Sequence, residues 1–69
     1  MLVSEARRSL VAALADLAEG ERDVVACRHL LGLTEQETAA VLGLPRGTVK
    51  SRASRGLRHL ARQLEADRG

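Results

Sequence analysis

The chain contains no phenylalanine, tyrosine or tryptophan. That absence excludes the RNA- and single-strand-binding modules that stack bases on aromatic rings, and it excludes aromatic cages for methylated lysine or choline. Cysteine is nearly absent too. Cys27 stands alone, so no internal disulfide forms, and Cys27, His29 and His59 together fall short of a structural zinc site. Long apolar runs are missing. The longest, Leu10 to Ala15, follows Arg7 and Arg8 in the manner of a signal peptide but stops at Asp16, well short of a secretory core or a membrane span. Its leucines keep helical spacing through to Leu17, so the segment reads as an ordinary helix. With no membrane or export signal and one reduced cysteine, the expected compartment is the cytoplasm, with no membrane partner. A glycine-rich phosphate loop and a Ser-His-Asp arrangement are equally absent, and a core this small leaves little room for a buried catalytic site. Neither enzyme activity, nor a cofactor, nor a metal is expected.

What is present is aliphatic and charged. Leucine, alanine and valine supply almost all of the 45% hydrophobic content, beside 29% charged residues, a globular rather than a disordered composition. Sixty-nine residues make one small domain, 1–69, or a piece of a larger protein. The net charge is only +2, but it is unevenly spread. Residues 1–44 hold four Arg against seven Asp and Glu, whereas residues 45–69 hold six Arg and Lys50 against Glu65 and Asp67. A basic C-terminal third behind an acidic front points to a polyanionic partner, which in a cell means nucleic acid above all. Charge alone leaves a solvated amphipathic helix as the alternative.

The apolar residues recur at helical intervals between Gly20, Gly32, Gly43, Pro45 and Gly47. Leu10, Leu14 and Leu17 form one stripe, which Val3 and Ala6 extend upstream. Val24, Cys27 and Leu31 form a second, with Val25 alongside; Ala39 and Leu42 form a short third. Val49, Ala53, Leu57, Leu60 and Leu64 form the longest. No strand-length alternation occurs. The expected fold is all-α, a small four-helix domain with helices near 4–17, 21–31, 35–42 and 46–66. Thr34 with Glu37 fits a capping box at the start of the third helix, and Gly43 suits a tight left-handed exit. Two helices joined by so short a glycine-containing turn form a helix-turn-helix, here at about 35–54.

Such a motif makes physical demands, and four residues meet them. Ala39 is small where the second helix passes over the first, Gly43 supplies the positive φ of the turn, and Leu44 and Val49 point into the core. On a wheel of ~100° per residue, Val49, Ala53, Leu57, Leu60 and Leu64 fall within about 80° of one another. Ser51, Arg55, Arg58 and Arg62 lie opposite, flanked by Lys50 and Ser54. Arg and Lys donate to guanine edges or phosphates, while serine lets a helix sit close in a major groove. Lys50, Ser51, Ser54 and Arg55, near the helix start, are therefore the candidate base contacts. Arg46, Thr48, Arg52 and Arg58, with the amide of Gly47, are the candidate phosphate contacts.

Other conspicuous residues have plainer explanations. Cys27 lies on an apolar stripe and reads as a small buried hydrophobe. His29, His59, Arg62 and Arg68 read as surface groups. The carboxylates Glu19, Glu21 and Asp23, and Glu35 with Glu37, fall at helix starts, where they favour the helix dipole.

The run from Leu33 to Leu57, LTEQETAAVLGLPRGTVKSRASRGL, resembles region 4 of bacterial sigma factors, within the extracytoplasmic-function (ECF) group of the sigma-70 class. Leu17 to Val25 is similar to the approach to the second helix of that domain, and the resemblance spans roughly residues 10–64. Its most specific part is Gly47 to Arg52 followed by Arg55. The resemblance implies a bacterial domain that binds the minus-35 promoter element in double-stranded DNA, with its last helix in the major groove. It also implies docking on the beta-subunit flap of the RNA polymerase core, and capture by an anti-sigma factor. Three positions depart from the family pattern: Thr38 where an apolar residue is usual, Ala18 near a common proline, and Gly56 where alanine is usual. Glycine there costs the helix about 1 kcal/mol relative to alanine. Ser54 also stands where a bulkier side chain is frequent, which bears on promoter preference. Region 2, which melts DNA in the family, is absent, so the chain is expected to be part of a longer factor.

Two alternatives stay open at the level of sequence. The LuxR/GerE-type output domain of response regulators shares the glycine turn and Thr48-Val49-Lys50, but continues differently from Ser51-Arg52 and Arg55-Gly56. A protein-interaction module would use leucines exposed between helices, Leu30, Leu31 and Leu33, to bind a polymerase or regulator helix.

Overall fold

A computed structural model describes residues 4–67. Two expectations, Val3 in the first stripe and Arg68 as a surface group, lie outside those residues. The elements are α1 (Glu5–Ala15), α2 (Glu19–Val25) running on into a π-helical turn (Ala26–Leu30), α3 (Glu35–Leu42) and α4 (Arg46–Asp67), with no strand among the described residues. They pack into a flat body of 36 × 27 × 15 Å.

The boundaries follow from local chemistry. The Ser4 hydroxyl accepts the Arg7 amide at 3.2 Å and starts α1. At the other end, the amides of Asp16 and Leu17 fold back onto the carbonyls of Ala12 and Leu14. Helix α3 starts with the capping box: Glu37 N donates to Thr34 Oγ1 at 3.0 Å, and Thr34 N donates to Glu37 Oε1 at 2.9 Å. It stops at Gly43, whose φ of 68° lies in the left-handed region that a side chain would strain. Leu44 N then bonds Ala39 O at 3.0 Å, and α4 begins one residue after Pro45, whose fixed φ suits a helix start.

The second helix departs from its expected course. It begins at Glu19 rather than 21, and it loosens into a π-turn in which Leu31 N bonds Ala26 O, five residues back, at 3.0 Å. Each residue of this wider turn advances less than the ~100° of an α-helix. The accumulated lag carries Leu31 off the stripe it was assigned to and leaves it 70% exposed. The Arg28 guanidinium donates to the carbonyl of Leu33 and closes the exit.

One cluster unites Ala13 and Leu17 from α1 and its exit, Val25 from α2 and Leu60 from α4, with Leu10, Leu14 and Leu64 packed against it. Val24, Thr38 and Val49, one from each of α2, α3 and α4, are fully buried. Ala6 is exposed, correcting its place in the first stripe: residues 4–8 are exposed all round the opening turn of α1. Leu57 is corrected as well, at 41% exposed. The buried arc of α4 centres on Val49, Gly56 and Leu60, so Leu57 falls on its rim.

Gly56 is the reason for that centring. An ideal Cβ at Gly56 would stand 2.6 Å from Cγ2 of Val25 and 3.4 Å from the carbonyl oxygen of Glu21. The missing methyl lets α2 lie directly against α4. The position expected to be a soft point of the helix is thus a point of close packing against α2.

Candidate nucleic-acid interface

α4 presents the candidate residues by ordinary helical geometry. With Val49, Gly56 and Leu60 turned inward, Lys50, Ser51, Ser54, Arg55 and Arg58 are all exposed. The four candidate base contacts fall within the first ten residues of the helix, the part that a helix-turn-helix advances into a groove. Arg46 and Gly47, at the helix start, are exposed and Thr48 is half-buried. The amides of the first turn have no partner one turn back inside the helix, which is what an anion at this end would use.

The cations do not stand equally free. Arg46 reaches back across the turn to Glu35 at 3.9 Å, with 65% of its side chain still exposed; a pair this long and open contributes little to stability. Arg52 is half-buried, and its guanidinium lies over the backbone of Gly20, where an ideal Cβ would be 2.9 Å from Nη1. It therefore sits at the junction of α4 with the start of α2, beside the exposed face rather than in its middle. Ser51 donates its hydroxyl to Thr48 O at 3.2 Å.

His59 was missed as a partnered group. It is half-buried, and its Nδ1 lies 2.7 Å from Oε1 of Glu21 on α2. Glu21 does occupy the first turn of α2 as expected, yet its carboxylate also ties that helix to α4. No spacing signal marks a pair 38 residues apart. His29 is exposed and Cys27 is a buried free thiol, as the sequence indicated. Among the described residues no group of three or more His, Cys, Asp and Glu is placed to hold a metal ion, and no helix is long and apolar enough to cross a membrane.

A second exposed feature is apolar. Leu30 and Leu31, at the end of the π-turn, are 58% and 70% exposed, while Leu33 is half-buried.

The sigma-70 region 4 family model matches residues 7–60. The chain belongs to the sigma-70 region 4 family. This is a family of sigma-factor DNA-binding domains, and the match decides between the two helix-turn-helix families that the sequence left open. The region 4 chain is 44% identical over 59 residues to an RNA polymerase sigma-E factor of Streptomyces antibioticus, covering 86% of this chain and 33% of that protein. It is 43% identical over 60 residues to an RNA polymerase sigma-E factor of Streptomyces avermitilis, covering 87% of this chain and 34% of the relative. Similarity extends to the ECF RNA polymerase sigma factor SigC of Mycobacterium tuberculosis, 39% identical over 54 residues, or 78% of this chain and 29% of that one. The chain thus spans about a third of the length of the curated relatives it matches. No solved structure matches it.

Proposed function

We propose that residues 1–69 form one promoter-recognition domain that binds the minus-35 element through its helix-turn-helix at about 35–54, as region 4 of an ECF-type sigma factor. One observation carries this reading: α4 exposes Lys50, Ser51, Ser54 and Arg55 together, on the side away from Val49, Gly56 and Leu60. In the proposed complex α4 lies in the major groove. Lys50, Ser51, Ser54 and Arg55 meet base edges, and Arg46, the Gly47 amide, Thr48, Arg52 and Arg58 hold the phosphates that fix register. Recognition, not bond-making chemistry, is its task, and its place of work is the bacterial cytoplasm.

The exposed pair Leu30 and Leu31 supports a second contact, with protein. An apolar pair on a surface otherwise rich in charge suits a hydrophobic partner surface, which we assign to the flap of the polymerase beta subunit. An anti-sigma factor would compete for the same face.

Fluorescence anisotropy of a labelled duplex carrying a minus-35 element, against a scrambled duplex and at several salt concentrations, tests the DNA reading. The three arginines assigned to phosphates, Arg46, Arg52 and Arg58, give a log–log salt slope of roughly −2.7, at about −0.9 per charged contact. Arg55→Ala is expected to reduce the preference for the promoter duplex by about 1–3 kcal/mol. No binding to either duplex, even at low salt, would sink autonomous recognition.

A further inference from the structure

Ser51 donates its hydroxyl proton to the carbonyl of Thr48, 3.2 Å away in the preceding turn. A carbonyl cannot donate, so the direction of this bond is fixed. A serine hydroxyl has one proton and two lone pairs. With the proton turned toward its own helix, Ser51 presents only an acceptor to whatever lies outside. Its exposed neighbours are the reverse, since Lys50 and Arg55 are donors without acceptors. Ser54, three residues on, makes no hydrogen bond of its own among the described residues, and its proton is uncommitted.

The major groove offers few donors. Guanine shows two acceptors there, and thymine shows an acceptor and a methyl group. Only adenine N6 and cytosine N4 carry amino protons. The donor-only side chains suit guanine or phosphate and leave an amino group unanswered, whereas an acceptor in their midst suits it.

We propose that Ser51 reads a base amino group, adenine N6 or cytosine N4, and so favours the base pair that places that group where the hydroxyl oxygen can accept from it. This inference rests on the DNA-binding reading above. Serving guanine or thymine requires turning the hydroxyl round and giving up its bond to Thr48. An exposed hydrogen bond of that kind sets a preference of about three- to fivefold.

The test is selection from a duplex pool with a randomised central window, by the 69-residue chain and by its Ser51→Ala and Arg55→Ala variants. Affinities for the four bases follow at each position whose preference changes. Ser51 is exposed and alanine is the better helix former, so the Ser51→Ala variant keeps its fold. The expected result is one position where the parent prefers one base pair about three- to fivefold and Ser51→Ala shows no preference, the adenine or cytosine of that pair supplying the amino group. Replacing that adenine by unsubstituted purine, or that cytosine by 2-pyrimidinone, removes the amino group. It should remove the parent's preference while leaving Ser51→Ala unchanged. A Ser51-dependent preference that survives removal of the amino group overturns the inference. So does a selection in which Arg55→Ala flattens one position and Ser51→Ala flattens none; the DNA reading then stands without it. If the parent enriches no sequence at all, the DNA reading itself fails and takes this inference with it.

Discussion

Thr38 is completely buried in α3, yet its Oγ1 has no hydrogen-bond partner in the protein. A hydroxyl removed from water and left unpaired costs about 1–3 kcal/mol. Thr38→Val keeps the branched shape and replaces the hydroxyl with a methyl group, so it is expected to raise stability by about 1 kcal/mol. In a domain of this size that corresponds to roughly 4–8 °C in Tm, which a thermal melt followed by circular dichroism reads directly. A melt no higher than the parent's would mean that the hydroxyl is satisfied after all. The position was legible in sequence as a place where the family pattern is apolar, and the burial explains the pattern. His59 shows the converse. Its link to Glu21 depends on how α2 crosses α4, and no feature of either local segment encodes it.

At the scale of the element, α3 is the piece most fully written in its own residues. Thr34, Glu37 and Gly43 act within one or two turns, and the helix spans 35–42 as those signals predict. The capping box also gives α3 a dependence on pH. The bond from the Thr34 amide, reinforced by that residue's side chain, holds the Glu37 carboxyl below its ordinary value. A carboxyl depressed in the folded state contributes stability above its unfolded pKa and loses it as pH falls through the folded one. Glu37→Gln still accepts the amide bond but does not titrate. Between about pH 6 and about pH 3 its Tm is therefore expected to fall less steeply than the parent's, the two curves converging in acid. Parallel curves would remove Glu37 from the acid response. The end of α2 was less legible for a definite reason. Helical spacing assumes a constant turn, and the π-turn at Ala26–Leu30 changes the turn itself. Leu31 moves from the expected core to the surface, beside Leu30.

Across the whole molecule, the contact between Val25 and Gly56 sets how closely α2 and α4 lie. Gly56→Ala gains up to about 1 kcal/mol of helix propensity but forces a methyl group against Val25, and overpacking of this kind costs about 1–3 kcal/mol. The net expectation is a less stable protein. In the Val25→Ala background the obstruction is gone and the same change becomes stabilising. That reversal of sign, read from four denaturant titrations, is what close packing predicts; equal effects in both backgrounds would mean that the helices do not meet there. Sequence alone recorded Gly56 as a departure and priced it as a weakness, because propensity is local and the neighbour that justifies it lies 31 positions away in the chain. The candidate site was more legible than the packing, since an exposed helical face needs only periodicity and charge to be recognised. α4 carries that face and the core contacts on opposite sides of a single rod. Exchanges at Lys50, Ser51, Ser54 or Arg55 therefore cost the fold about 0.5 kcal/mol or less. Under the proposed function, lineages descended from this domain are free to acquire new promoter addresses one exposed residue at a time, while Val49, Gly56 and Leu60 stay fixed by what they touch.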